Sequence, residues 1–173
     1  MESLKSKIRS VPDFPKAGIL FYDITTLLRE KDGFQMAIEA LIQPFETTDI
    51  DMVVGVESRG FILGGAVADR LGAGFAPVRK KGKLPSKTVQ ETYDLEYGTD
   101  CLELHADAVA PGERVLIIDD VLATGGTAAA TSALVRKLGG SVQALAFLVE
   151  LEFLNGRAKI PGETVFSVLK YSA

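Results

Sequence analysis

The strongest constraint on the fold comes from three stretches that are apolar at nearly every position: "DMVVGV", "RVLII" and "SVQALAFLVEL". Side chains of a strand alternate between two faces, so such a run needs cover on both sides. The segments between them have helical periodicity. "GFQMAIEALIQPF" places Phe34, Met36, Ala37, Ala40 and Leu41 at helical spacing. "RGFILGGAVADRLG" reads as a helix closed by Gly72, and "GGTAAATSALVRKLGG" as one closed by Gly139 and Gly140. Strands of this kind alternating with helices indicate the α/β class, with a central, mainly parallel sheet flanked by helices. Ligands of such sheets sit at the carboxyl ends of strands, near a switch in strand order. That directs attention to residues 57–59, 79–83 and 119–127.

The remaining segments are more varied. "SLKSKIRS" reads as a short amphipathic helix, and the prolines and glycine of "VPDFPKAGILFYDITTLL" suggest an ordered loop. "GFAPVRK" and "TVFSVLKY" read as strands, "KKGKLP" as a basic turn and "APGE" as a turn. "SKTVQETYDLEYG" is polar and alternating, and a "YGTD" turn leads into "CLELHAD", which suggests a long loop plus a hairpin. We expect a single domain over 1–173.

The 173 residues are enough to bury about two thirds of the unfolded surface without a disulfide or metal staple. A net charge of −4 offers no general attraction to nucleic acid or anionic membrane, so neither is an expected partner. Cys101 is the only cysteine and His105 the only histidine. They fall on one face of a strand but lack a third, orienting group, so neither a thiol nucleophile nor a zinc site is expected. No apolar run approaches the roughly 20 residues of a membrane span. A reduced, cytoplasmic setting fits.

The motif with the most chemistry is "VLIIDDVLATGGT", residues 115–127. The chain is expected to leave the sheet after Ile118 and to enter a helix near Gly126. The N–H groups and dipole of a helix start form an anion site. Gly125 and Gly126 allow close backbone approach, and Thr124 and Thr127 add hydroxyl donors. A phosphate monoester suits that ring of donors. Asp119 and Asp120 would repel the phosphate, but they suit a vicinal diol beside it or a hydrated magnesium ion. A phosphorylated sugar meets both demands. A solvated acidic turn before a helix is the plainer alternative for an isolated Asp-Asp pair.

The same thirteen residues resemble the phosphoribosyl pyrophosphate motif of the type I phosphoribosyltransferases. Taken with "FPKAGILFYDITTLL", "GVESRGFILG", "PVRKKGKLP", "TYDLEYGTDCLELHADA" and "LVEL", nearly the whole chain is similar to the adenine-specific branch of that family. The resemblance implies transfer of a phosphoribosyl group from phosphoribosyl pyrophosphate to N9 of adenine, giving AMP and pyrophosphate, with Mg2+ held mainly by substrate and only through water to Asp119 or Asp120. It implies that Ala123, Thr124, Gly125, Gly126 and Thr127 bind the 5'-phosphate and Asp119 and Asp120 the ribose hydroxyls. Ser58, Arg59, Arg79, Lys80 and Lys83 would hold pyrophosphate. A cis peptide would stand at Glu57-Ser58. Arg79 and Lys83 would reach the neighbour's site in a homodimer. Leu20, Phe21 and Tyr22 would receive adenine, although many family members carry arginine where Tyr22 stands. Residues 1–30 would form an N-terminal helix and base-binding segment with a small N-terminal hood, and Glu96 and Tyr97 would lie on a flexible loop, 84–100, that closes over the substrates, with Glu96, Arg59 and Asp120 acting in catalysis. A related enzyme for another base, or a regulator that binds phosphoribosyl pyrophosphate without turnover, are the competing readings.

Overall fold

In the computed structural model, which describes residues 2–95 and 98–172, the chain divides into two compact units, Met1–Ala40 and Leu41–Ala173. The first contains helix α1 (Glu2–Lys5), strands β1 (Arg9–Pro12) and β2 (Leu20–Asp23), helix α2 (Thr25–Arg29) and most of α3 (Lys31–Ile42). The second contains β3 (Met52–Val56), α4 (Arg59–Leu71), β4 (Gly74–Lys80), β5 (Thr88–Asp94), β6 (Thr99–His105), β7 (Arg114–Leu122), α5 (Gly126–Lys137), β8 (Ser141–Leu151) and β9 (Val165–Tyr171).

The second unit is built on a seven-stranded sheet of order β5-β6-β4-β3-β7-β8-β9. The pairs from β4 through β3, β7 and β8 to β9 are parallel, and β6 adds antiparallel to β4. Every position of "VLII" is buried, for the reason its composition suggests. Val115 and Ile117 join Val54, Leu145 and Phe147 and the α5 residues Leu134 and Val135 in one core. The intervening Leu116 and Ile118 are equally buried. Helix α4 reaches their side of the strand through Gly60 and Gly64, where a Cβ would lie 3.1 Å from the Ile118 carbonyl oxygen and 3.7 Å from its Cβ.

The chain order β3-β4 runs one way across the sheet and β7-β8-β9 the other, so the switch point lies between β3 and β7. The register opens it. Pairing of β3 with β7 ends at Gly55↔Ile118, whereas β7 stays on β8 as far as Leu122↔Glu150. The chain therefore does not leave the sheet after Ile118 as expected. It loses one neighbour there and keeps the other, because β8 is long enough to carry it four residues further.

Three other expectations are corrected. The first helix stops at Lys5, and Arg9 and Ser10 belong to β1. The stretch read as an ordered loop contains an antiparallel pair, Arg9↔Asp23 to Pro12↔Leu20, followed by α2. Pro12 ends β1, and Pro15 and Gly18 lie in the connection, where Asp13 and Gly18 have positive φ and the Asp13 carboxylate accepts from the Gly18 N–H at 2.7 Å. The stretch 84–100 is not a loop throughout: β5 pairs with β6 from Thr88↔His105 to Asp94↔Thr99. Its polar alternation marks a half-buried strand, with Glu91 and Tyr93 partly covered between exposed neighbours.

The central strands carry the stability of the second unit. Leu145 is fully buried, so Leu145→Ala is expected to cost ~2–5 kcal/mol in urea unfolding. Phe153→Ala, at a half-exposed position, is expected to cost about 0.5 kcal/mol or less.

Candidate active site

The loop from Ala123 to Gly125 joins β7 to α5, and Gly125 takes a left-handed φ of 83° at the helix N-cap. No side chain caps this helix, so its first N–H groups face the cleft uncapped by side chains. The cleft has a volume of ≈ 80 Å³ and is lined by Asp119, Ala123, Thr124, Gly125, Gly126 and Thr127, among others. Pockets that enclose a whole small ligand measure about 300–1,000 Å³. This one suits a single phosphate-sized group.

The loop is held from behind. A Cβ on Gly125 would lie 2.1 Å from the carbonyl oxygen of Gly156, and a Cβ on Gly156 2.3 Å from that of Ala123. Two backbones touch here because neither carries a side chain. Gly156 opens a 3-10 turn, Gly156–Lys159. Arg157 of that turn donates twice to Glu150, at 2.7 and 2.8 Å. The arginine's hydrogen bonds hold the Glu150 carboxyl below the usual carboxylate range against the opposing effect of burial. The "NG" dipeptide at 155–156 signals a turn in the sequence, but nothing local reveals that it abuts the phosphate loop.

Asp119 and Asp120 follow each other on β7 and so point to opposite faces. Asp119 lines the cleft, and its Oδ1 accepts from the Asp120 N–H at 2.8 Å. Helix α4 comes close: a Cβ on Gly60 would lie 2.9 Å from that same oxygen. Burial, then the neighbouring Asp120 charge, pushes the Asp119 carboxyl well above the usual aspartate value. Asp120 is 7% exposed and pairs through Oδ2 with Arg59 Nε.

Arg59 is the first residue of α4, after a cis peptide at Glu57-Ser58, as the resemblance implies. Ser58 occupies the N-cap without a side-chain cap bond. Glu57 gathers the basic turn. Its Oε1 accepts from the Lys80 N–H at 2.6 Å, its Oε2 from Lys83 Nζ at 2.9 Å, and Arg79 Nε stands 3.6 Å away. Burial works to raise the Glu57 carboxyl, but the Lys80 N–H and the Lys83 and Arg79 charges outweigh it and leave it lowered. Lys80 pairs with Asp100 at 3.0 Å, and that hydrogen bond raises the lysine and lowers the aspartate. The structure thus brings Arg59, Arg79, Lys80 and Lys83 each beside a carboxylate of the same chain. Sequence reasoning alone assigns no binding role to Glu57, Asp100, Gly156 or Arg157.

The β5-β6 hairpin lies over the start of α5. Tyr93 packs on Gly126, where a Cβ would approach its ring to 3.0 Å. Its hydroxyl accepts from Thr127 Oγ1 at 3.5 Å and donates to Asp100 at 3.4 Å. Glu96 and Tyr97, the expected closing residues, lie outside the described residues. Of the expected base-binding residues, all on β2 of the first unit, Leu20 is exposed, Phe21 makes an edge contact with Phe14 at 5.2 Å, and Tyr22 is buried.

Among the described residues no three carboxylate, imidazole or thiol groups converge. Two adjacent carboxylates beside a phosphate cleft nevertheless suit magnesium delivered on substrate, which needs only one or two carboxylates and keeps much of its water.

The phosphoribosyl transferase domain family matches residues 23–160. An adenine phosphoribosyltransferase from Acidobacterium capsulatum is 60% identical over 171 residues, covering 99% of this chain and 94% of the relative. The crystal structure of adenine phosphoribosyltransferase from Rhodothermus marinus is 57% identical, with a TM-score of 0.95 over 98% of this chain and 97% of that one. The Saccharomyces cerevisiae enzyme, complexed with an imino-altritol bisphosphate and adenine, is 43% identical, with a TM-score of 0.92 over 97% of each chain.

Two expectations follow from this geometry. Gly156→Ala forces the phosphate loop out of place, and affinity for ribose 5-phosphate measured by calorimetry should fall about tenfold or more, equivalent to ~1.4 kcal/mol. A carboxyl raised in the folded state contributes stability that is present below its unfolded pKa and lost as pH rises through the folded value. Asp119→Asn should therefore melt above the parent at pH 8. The two melting temperatures should converge below about pH 3.9, the ordinary aspartate pKa.

Proposed function

The chain belongs to the adenine phosphoribosyltransferase family, and from that membership we propose how its residues divide the work. The protein transfers the 5-phosphoribosyl group of phosphoribosyl pyrophosphate to N9 of adenine, giving AMP and pyrophosphate. The observation that carries the assignment of roles is the carboxyl end of β7, where a phosphate-sized cleft at a helix start adjoins two aspartates.

We assign the 5'-phosphate to the N–H groups and hydroxyls of residues 123–127 and the ribose hydroxyls to Asp119 and Asp120. Adenine goes to Leu20, Phe21 and Tyr22. Breaking the C1'–O bond leaves positive charge on the sugar and negative charge on the departing pyrophosphate. The aspartates offset the first, and Ser58, Arg59, Arg79, Lys80 and Lys83 stabilise the second. Arg59 exchanges Asp120 for pyrophosphate, which frees the carboxylate for the sugar. Asp119 or Asp120 would hold a magnesium ion, carried mainly by substrate, through water, and the ion when bound would add charge neutralisation on the leaving group. The β5-β6 hairpin helps to exclude water; Tyr97 is assigned to closure over the substrates and Glu96 to the proton of the purine ring. Adenine attacks directly, so no covalent enzyme intermediate is needed.

We further propose that 1–173 works as one domain in a cytoplasmic homodimer, with Arg79 and Lys83 serving the neighbouring subunit. A basic cluster in a chain of net charge −4 supports a role for it in binding a polyanion, and the unpaired Cys101 suits a reducing compartment. No described helix is long and apolar enough to cross a membrane.

Incubation with magnesium, phosphoribosyl pyrophosphate and each base in turn should yield a nucleotide with adenine alone. Asp120→Asn should lower kcat/KM about 10²-fold, as loss of one preorganised electrostatic contact does elsewhere. A value within twofold of the parent would remove Asp120 from the sugar.

A further inference from the structure

Glu57 stands between two loops assigned to pyrophosphate, yet it takes no part in the transfer itself. It directly precedes Ser58 and Arg59, and its N–H donates to the Val78 carbonyl of β4 at 3.0 Å. Its side chain is 11% exposed, whereas that of Lys83 is 48% exposed. The carboxylate is therefore fixed by its surroundings, and the ammonium, on a four-carbon stem at the rim, can swing. Both oxygens of Glu57 are occupied, one by the Lys80 N–H and one by Lys83 Nζ, with Arg79 Nε 3.6 Å from the first. A carboxylate and a phosphate accept from the same donors, so these cations cannot serve both at full strength.

The main chain of the basic turn has a second support. Glu103, 4% exposed, accepts from the Gly82 N–H at 3.0 Å and from Gln90 Nε2 at 2.8 Å. Lys80 Nζ is held apart by Asp100. Replacing the Glu57 carboxylate by an amide thus leaves the turn anchored, and the amide oxygen can still accept from the Lys80 N–H.

We infer that Glu57 is a built-in competitor for the pyrophosphate end of the substrate: it holds Lys83 and Arg79 as an internal counter-ion and yields them when the diphosphate arrives. The inference rests on the assignment of pyrophosphate to the basic turn. Whichever subunit's site those cations serve, Glu57 is the charge they leave. The residue limits how tightly the diphosphate is held, and so favours its departure after transfer.

The test is calorimetric titration of inorganic pyrophosphate with magnesium into the parent, Glu57→Gln, Lys83→Met and the double variant. Glu57→Gln should bind pyrophosphate about two- to fivefold more tightly, the range expected when one partly exposed ion pair no longer competes. The gain should shrink in 1 M salt, where the Debye length is about 3 Å. It should also shrink in the Lys83→Met background, where Glu57 competes only for Arg79, because residues in contact do not act additively. Ribose 5-phosphate affinity should stay at the parent value, which a general loss of structure would not allow. Should Glu57→Gln fail to fold, Glu57→Asp, whose carboxylate is one methylene further from Lys83, must show the same tightening. Unchanged or weaker pyrophosphate binding in a variant that keeps ribose 5-phosphate affinity would overturn the inference. Lys83→Met with parental pyrophosphate affinity would instead overturn the assignment of pyrophosphate to the turn, and the inference with it.

Discussion

Strand β7 outlasts its neighbour β3 by four residues, and the proposed active site occupies the gap. To Ile118 the strand is covered on both faces and paired on both edges. Beyond it, β8 alone holds the ladder as far as Leu122. Asp119 and Asp120 fall within that extension, so they have the fixed geometry of a strand together with an open edge. A loop could supply the same carboxylates, but without that rigidity the cost of ordering them would fall on each binding event.

The loop that follows, to which the 5'-phosphate is assigned, is equally constrained. Its position depends on contact between the backbones of Gly125 and Gly156, and Gly156 is tied through Arg157 to Glu150, the residue opposite Leu122 on β8. The 3-10 turn therefore braces the loop from behind and ties it to the end of β7. On the neighbouring strand ends the charges are mutually compensated, with Arg59 on Asp120, Lys83 and Arg79 on Glu57, and Lys80 on Asp100. Asp119 is the exception, a half-buried carboxylate that desolvation and the like charge of Asp120 push well above the usual aspartate value. Such a group destabilises the folded protein at neutral pH.

Much of this is legible in the sequence because it is local. Continuous apolar runs identify β3, β7 and β8, and alternating strands and helices identify the class. The helix start at Gly126 and the paired aspartates point to a phosphorylated diol from residue type and order alone. What the sequence hides depends on partners distant along the chain. The extension of β7 past Ile118 is set by the length of β8. The pairing of Arg9–Pro12 with Leu20–Asp23 is masked by the turn residues between them. The role of Gly156 requires knowing which backbone lies behind it, and the capture of Lys83 by Glu57 spans 26 residues. Charged residues at strand ends suggest binding, yet nothing in their spacing discloses that each cation already has a carboxylate beside it.

Every assignment of role depends on the nucleotide's phosphate lying at the start of α5 with its sugar against the end of β7. A crystal structure of the protein with AMP tests this directly. The phosphate should accept hydrogen bonds from the N–H groups of residues 124–127, with the ribose hydroxyls on Asp119 and Asp120. A nucleotide bound with its phosphate on any other helix start, or with its ribose away from both aspartates, would contradict it.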